Sequence, residues 1–283
     1  MTARRPPIVI VGAPRSGTNM LRDCLVKLDG FTTWPCDEIN YIWRHGNIDH
    51  PTDELAPELA TAAVQRYVRR AFDRIGAKHP DARVVEKTCA NCLRLPFVNA
   101  IVPDATYIEI TRNPVDAAAS AIQRWSAPLD VRYLARKARF VPLRDLPIYA
   151  FQYLGHRITK LRRSDGRLGS WGPKFTGLRD MLESGSSVAE ISAAQWLACT
   201  TAADQFLTTL PPHRVHRLVY EDFVRDPADG MRELVRFLDV PATDDDIARA
   251  VADVTSTSIG RSASQLSDAD RAGIDSVLAA GRK

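Results

Sequence analysis

Cysteine is scarce in this 283-residue chain. There are five (Cys24, Cys36, Cys89, Cys92 and Cys199), an odd number at irregular spacings. Such a set does not make a disulfide framework, and it points to a reducing compartment. Long apolar runs are also lacking: nothing approaches the ~20 apolar residues that a membrane span needs. The run from Ile8 to Val11 falls short of the roughly 7–15 residues of a secretory signal core, and polar Arg15 and Ser16 interrupt it. A cytoplasmic chain without a transmembrane segment is therefore expected. A strong charge of one sign is missing too, with 38 Lys and Arg against 34 Asp and Glu and a net charge of +4. That excess does not by itself argue for nucleic acid as a partner, and none is expected. Internal repeats, linkers and low-complexity tracts are absent.

What is present is an ordinary globular balance, 45% hydrophobic and 25% charged, in a chain long enough to bury a core without staples. At about 150 residues per domain the length allows one large or two small domains. One domain over 1–283 is expected, with residues about 124–186 as a basic insertion over its open edge. Within it, residues 124–179 hold 13 Lys or Arg against three acids, a local +10 that leaves the rest of the chain at −6. Its cations interleave with aromatic residues such as Tyr133, Phe140, Tyr149 and Tyr153. Such a segment is a solvated helical face, a lid that grips an anionic or amphipathic acceptor, or a peripheral patch for anionic headgroups.

The apolar pattern alternates between strands and helices. Ile8-Val9-Ile10-Val11 is a β-branched run closed by Gly12 and Pro14, as in a strand buried on both faces. Residues 83–85, 106–110 and 216–220 are further strand candidates. Leu59, Ala63, Val64, Tyr67, Val68, Ala71, Phe72 and Ile75 recur at spacings of three and four, which predicts a helix over about 54–76. Asn113-Pro114 and Asp226-Pro227 each place a capping side chain before a proline at the first helical position. Ser187 with Glu190, and Ser267 with Asp270, have capping-box spacing. Strands separated by helices imply a three-layer α/β fold with a mainly parallel central sheet flanked by helices.

Three motifs carry chemistry. The first is Gly12-Ala-Pro-Arg-Ser-Gly-Thr18 between the first strand and a helix, where backbone N–H groups and a helix N-terminus converge on one point and favour an anion. The loop is P-loop-like in its Gly12 to Gly17 separation. However, Thr18 stands where a nucleotide-binding lysine belongs, and Asn19 where the metal-binding Ser or Thr belongs. Arg15 supplies a cation from inside the loop instead. A plain βα turn would leave Arg15, Ser16 and Thr18 as unused donors. The second motif is Thr111-Arg112-Asn-Pro-Val-Asp-Ala-Ala-Ala-Ser120, an Arg fork and a helical hydroxyl suited to phosphate. Its alternative is an Arg112 salt bridge to a nearby carboxylate, with Ser120 a surface residue. The third is Val84-Val-Glu-Lys-Thr88, with Lys87 at a strand end. Open α/β sheets bind ligands beyond the carboxyl ends of their strands, and all three motifs map there. Three cations in one crevice suggest a ligand with two separate anionic ends.

Together these segments resemble the PAPS-dependent sulfotransferases, especially the bacterial and tyrosylprotein-type branch with a Pro-Arg-Ser-Gly-Thr loop. The likeness continues in Tyr220-Glu-Asp-Phe223, Asp226-Pro227 and Ser258-Ile-Gly-Arg261. By that resemblance the cosubstrate is 3′-phosphoadenylyl sulfate (PAPS), the product adenosine 3′,5′-bisphosphate (PAP), and no metal is required. Arg15, Ser16, Gly17, Thr18 and Asn19 would hold the 5′-phosphosulfate. Arg112 and Ser120, joined by Gly260 and Arg261, would hold the 3′-phosphate. Asn19 departs from the family's usual Ser or Thr, although its amide still donates to phosphate.

The implied reaction is sulfuryl transfer to a hydroxyl of a small-molecule or glycan-like acceptor. Negative charge builds on the bridging oxygen of the leaving nucleotide, with Lys87 and Arg15 as the donors that stabilise it. The resemblance makes Glu38 the base, with Asp37, His45 and His50 as rivals. Competing readings are a P-loop kinase and a non-catalytic anion- or nucleotide-binding module. The Cys89-Ala-Asn-Cys92 pair lacks a second pair for zinc. Glu221 and Asp222 end a strand at the same edge, as loop organisers or as partners of Arg residues. Trp196 and Phe206 lie on a helix and read as core.

Overall fold

The computed structural model describes residues 5–125, 171–260 and 262–281. Most of the basic segment (126–170) and Arg261 therefore lie outside the described residues. Five strands form one sheet: β1 Ile8–Val11, β2 Phe31–Thr32, β3 Arg83–Lys87, β4 Thr106–Thr111 and β5 Val215–Val219, in the order β2-β3-β1-β4-β5. Every pairing is parallel. All four β1 residues are buried, because a central strand in a parallel sheet is covered on both faces. Alternation divides them. Val9 and Val11 join one core with Tyr107 of β4, while Ile8 and Ile10 join a second core with Ile108 and Ile110.

The helices cover both faces. On the first lie α2 (Asn40–Trp43), α3 (Ala62–Lys78), α4 (Leu95–Ile101), α5 (Pro114–Trp125), α6 (Leu178–Glu183) and α7 (Val188–Leu207). The second face is packed by α1 (Thr18–Val26), α8 (Tyr220–Arg225), α9 (Pro227–Phe237) and α10 (Asp244–Val251). Two further helices follow, α11 (Ser262–Gln265) and α12 (Asp268–Ala280), and α12 meets α5 and α7 through small side chains such as Ala118, Ala189 and Ala193. The three-layer α/β expectation is borne out.

Most caps act as the sequence predicts. Asn113 accepts from the Val115 and Asp116 N–H groups, Asp226 from Asp229, and Ser187 and Glu190 close a reciprocal capping box. Two boundaries differ. The helix expected over 54–76 starts at Ala62, where Thr61 caps it by accepting from the Val64 N–H, and Pro57 opens a separate 3-10 turn before it. The last strand runs over 215–219, so Tyr220, Glu221 and Asp222 are the first turn of α8 and not a strand end. The two-residue strand β2 is too short to leave a period in the sequence.

The described chain resumes at residue 171 against a buried ion cluster. Asp53 pairs with Arg44 at 2.8 Å and Arg94 at 3.5 Å. Its backbone N–H donates to the Lys174 carbonyl at 2.7 Å, and its Oδ2 accepts from the Lys174 N–H at 2.8 Å. Burial alone would raise the Asp53 pKa. Arg94, the Lys174 N–H and Arg44 outweigh it and hold the carboxyl below its usual range.

Candidate active site

β1 and β4 are neighbours whose onward connections leave in opposite directions, and a crevice opens beyond their carboxyl ends. The loop after β1 is tightly wound. A Cβ on Gly12 would lie 2.7 Å from the Ile110 carbonyl oxygen, and one on Gly17 2.4 Å from the Tyr220 ring. Arg15 takes a left-handed conformation (φ 69°) and Gly17 another (φ 89°), which for a non-glycine residue such as Arg15 costs on the order of 1–3 kcal/mol. The Ser16 side chain is fully buried, yet its Oγ has no hydrogen-bond partner among the described residues. A buried hydroxyl left unpaired in a tight turn that opens a helix fits an anion in the loop. Asn19 is exposed in the first turn of α1.

One flank of the loop is cationic. Arg15 Nε donates to Ser120 Oγ at 2.9 Å. Arg112 donates through Nη1 to the Arg15 carbonyl and through Nη2 to the Ser258 carbonyl, each at 2.8 Å. Its guanidinium stands 4.5 Å over the Tyr220 ring, and its buried Nε has no partner among the described residues. Among those residues no carboxylate pairs with Arg112, so the salt-bridge alternative is not what the structure contains. Local burial, then the Arg112 and Arg124 charges, hold the Arg15 pKa below the ordinary guanidinium range although its side chain reaches solvent. Three like charges left to repel one another prefer an anion among them.

Asp116, in the first turn of α5, ties the C-terminal turn to this flank. It accepts from the Gly260 N–H at 2.8 Å and the Ser262 N–H at 3.1 Å. Burial would raise its pKa, but bonds from Ser262 and Gly260, with the Arg112 charge, lower it. Gly260 thus reaches the predicted place with its N–H engaged by Asp116, while Arg261 lies outside the described residues. The sequence motifs alone give Tyr220 and Arg124 no role at this flank. Arg124 is one helical turn beyond Ser120, a spacing that puts both on one face of α5.

The other flank pairs a cation with an acid. Thr18 Oγ1 lies 3.6 Å from Cys89 Sγ, and the Cys89 N–H donates to Glu38 Oε1 at 3.3 Å. The same Glu38 oxygen accepts from Lys87 Nζ at 3.0 Å, with the lysine side chain 2% exposed and the glutamate 26%. Burial works against the Lys87 ammonium, but Cys89 and Glu38 outweigh it and raise its pKa. The rival bases have other contacts: Asp37 lies 3.7 Å from Arg22, His45 stacks on Tyr67, and the His50 ring bonds the Thr52 carbonyl. The structure thus brings together Arg15, Ser16, Gly17, Thr18, Glu38, Lys87, Arg112 and Ser120, with one loop between the two flanks.

The model of the family described as "Sulfotransferase family" matches residues 6–139 and 175–245, well over half of the chain and both flanks of the site. The chain belongs to the sulfotransferase family. The family expected from the motifs is therefore borne out. Solved sulfotransferases share the fold. The sulfotransferase domain from the curacin biosynthetic pathway is 15% identical over 91% of this chain and 84% of that one, with a TM-score of 0.53. Mouse sulfotransferase SULT7A1, solved in complex with PAP, is 14% identical over 99% and 85%, with a TM-score of 0.54. Sulfotransferase STF9 from Mycobacterium avium is 13% identical over 89% and 69%, with a TM-score of 0.51. No curated protein matches the chain.

The other motifs of this sulfotransferase are structural. Cys89 and Cys92 are buried free thiols, and burial pushes the Cys89 thiol up. Among the described residues no group of three metal-ligating side chains occurs. Trp196 and Phe206 pack against the first core. Glu221 accepts from the Asn113 N–H and Asp222 pairs with Arg225, so Glu221 organises the β4–α5 loop. No helix among the described residues is long and apolar enough to cross a membrane.

Proposed function

We propose that this sulfotransferase moves a sulfuryl group from PAPS to a hydroxyl of a small-molecule or glycan-like acceptor. The observation that carries the reading is the two-flanked loop. Ser16 Oγ and Arg112 Nε are buried donors awaiting an acceptor, and on the loop's far side Lys87 and Glu38 form an ion pair. The likeness to SULT7A1, which holds PAP, supports the same nucleotide here. On this reading Arg15, Ser16, Gly17, Thr18 and Asn19 hold the 5′-phosphosulfate. Arg112 and Ser120 hold the 3′-phosphate, with the turn at Gly260 and Arg261 beside them.

PAPS supplies the activated sulfuryl group, and the chain's own residues manage charge and protons. Lys87 and Arg15 donate to the oxygen on which negative charge builds, where preorganised donors lower the barrier most. Each charge-assisted hydrogen bond is worth about 1.5–3 kcal/mol. Glu38 takes the proton of the acceptor hydroxyl, and its bond from Lys87 holds the carboxylate in place. A kinase would need a lysine after Gly17, and nothing here favours that reading.

The test is Glu38→Gln. Removing a general base lowers turnover by about 10²–10⁴-fold, while calorimetry with PAP, in the absence of Mg²⁺, gives the wild-type affinity. Wild-type turnover in this variant removes Glu38 from the mechanism. PAP binding that requires Mg²⁺ removes the sulfotransferase assignment of the loop.

A further inference from the structure

A second carboxylate lies behind the site and takes no part in the chemistry above. Glu86, the β3 residue before Lys87, is 0% exposed. Its Oε1 accepts from Trp43 Nε1 at 3.1 Å and from Thr88 Oγ1 at 2.6 Å, and its Oε2 accepts from Asn91 Nδ2 at 2.9 Å. The Thr88 hydroxyl, with its proton committed to Glu86, accepts from the Ile39 N–H at 3.2 Å. Ile39 is the residue after Glu38, and Trp43 ends the helix that follows. One carboxylate therefore tethers both ends of the stretch Ile39–Trp43 that directly follows Glu38.

Strand geometry makes the tether specific. Register pairs Glu86 with Val9 and Lys87 with Ile10, two residues before the Gly12 loop. Successive strand residues point to opposite faces, so Glu86 and Lys87 grip the Glu38 segment from two directions. Lys87 reaches the Glu38 carboxylate, and Glu86 reaches the backbone and helix behind it.

We infer that Glu86 is a positioning residue: through Thr88 and Trp43 its buried carboxylate sets the placement of Glu38 against Lys87. The inference rests on Glu38 being the base. Burial pushes the Glu86 pKa up against the bonds from Thr88 and Trp43, so its ionised form carries a desolvation penalty within the fold. Three donors converging on the carboxylate retain it there, at the point where the two catalytic candidates meet.

The experiment severs the tether without touching Glu38, Lys87 or the phosphate loop. Thr88→Val removes the hydroxyl relay, Trp43→Phe removes the other link, and Thr88→Ser restores the hydroxyl. Crystal structures of the three variants are solved, and kcat is measured as PAP release from PAPS with water as the acceptor. We expect the Glu38 Oε1 to Lys87 Nζ separation, 3.0 Å in the wild type, to lengthen in Thr88→Val and Trp43→Phe and to be kept in Thr88→Ser. A displacement near 1 Å costs about 10²-fold in kcat, with PAP affinity unchanged and the acidic limb of the pH profile shifted. In a Glu38→Gln background Thr88→Val then costs nothing more, because a residue that acts through another is not additive with it. An unmoved Glu38–Lys87 pair, or multiplying losses in the double variant, overturns the positioning role alone. Wild-type turnover in Glu38→Gln overturns the base assignment and this inference with it.

Discussion

Replacing Arg112 with alanine separates the two ends of the nucleotide. Arg112 is 7% exposed, donates to the Arg15 and Ser258 carbonyls at 2.8 Å each, and its Nε has no partner among the described residues. A ligand phosphate at that nitrogen gains one charge-assisted bond, about 1.5–3 kcal/mol. At 1.4 kcal/mol per decade, its loss raises the PAP dissociation constant roughly 10- to 100-fold. The loss is specific to the 3′-phosphate. AMP, which lacks that group, should bind the variant as it binds the wild type, so the preference for PAP over AMP collapses. Arg112→Lys keeps the charge but cannot span two carbonyls that lie 97 and 146 residues away in sequence, and it should fall between the two. Isothermal calorimetry of the wild type and both variants with PAP and AMP reads all six affinities. The reasoning is refuted if Arg112→Ala keeps the wild-type PAP affinity, or if it weakens AMP as much as PAP.

Other expectations follow from the same geometry. Gly17→Ala forces a Cβ to within 2.4 Å of Tyr220 at φ +89°. The backbone term alone is about 1–2 kcal/mol, and the displaced ring also supports Arg112, so both the Tm and PAP affinity should drop; a wild-type affinity contradicts the loop's role. Asp53→Ala leaves two buried guanidinium groups without their carboxylate, which should cost about 3–5 kcal/mol in urea unfolding. Because folding depresses the Asp53 pKa, its contribution is present above the ordinary carboxylate value of about 3.9 and is lost as pH falls through the folded value. Asp53→Asn should therefore lose less stability on acidification than the wild type. Acceptor KM should rise with ionic strength if the +10 segment over 124–179 grips an anion, since salt near 0.1 M screens exposed charges beyond about 10 Å; indifference to salt removes that role.

Much of this site is legible in the sequence, because its parts sit at punctuation marks. Gly12 and Gly17 close a β-branched run, Lys87 ends another, and Asn113-Pro114 starts the helix that carries Ser120. Each mark locates a strand's carboxyl end, and parallel topology brings such ends together. What stays hidden depends on distant partners. The Asp116–Gly260 bond spans 144 residues, and nothing in the local pattern of either residue announces it. Glu86 and Glu109 are carboxylates inside strands, buried where an alternating pattern implies apolar residues. Tyr220 reads from the sequence as a strand residue but opens α8, and its support of Gly17 and Arg112 exists only once β5 lies beside β4.

A crystal structure with PAP bound asks the central question directly. The account predicts one PAP molecule lying across the β1–β4 crevice, its 5′-phosphate in the Arg15–Thr18 turn and its 3′-phosphate on Arg112 and Ser120. PAP held by only one of these groups, with the Arg15 and Arg112 guanidinium groups facing separate cavities, would contradict it.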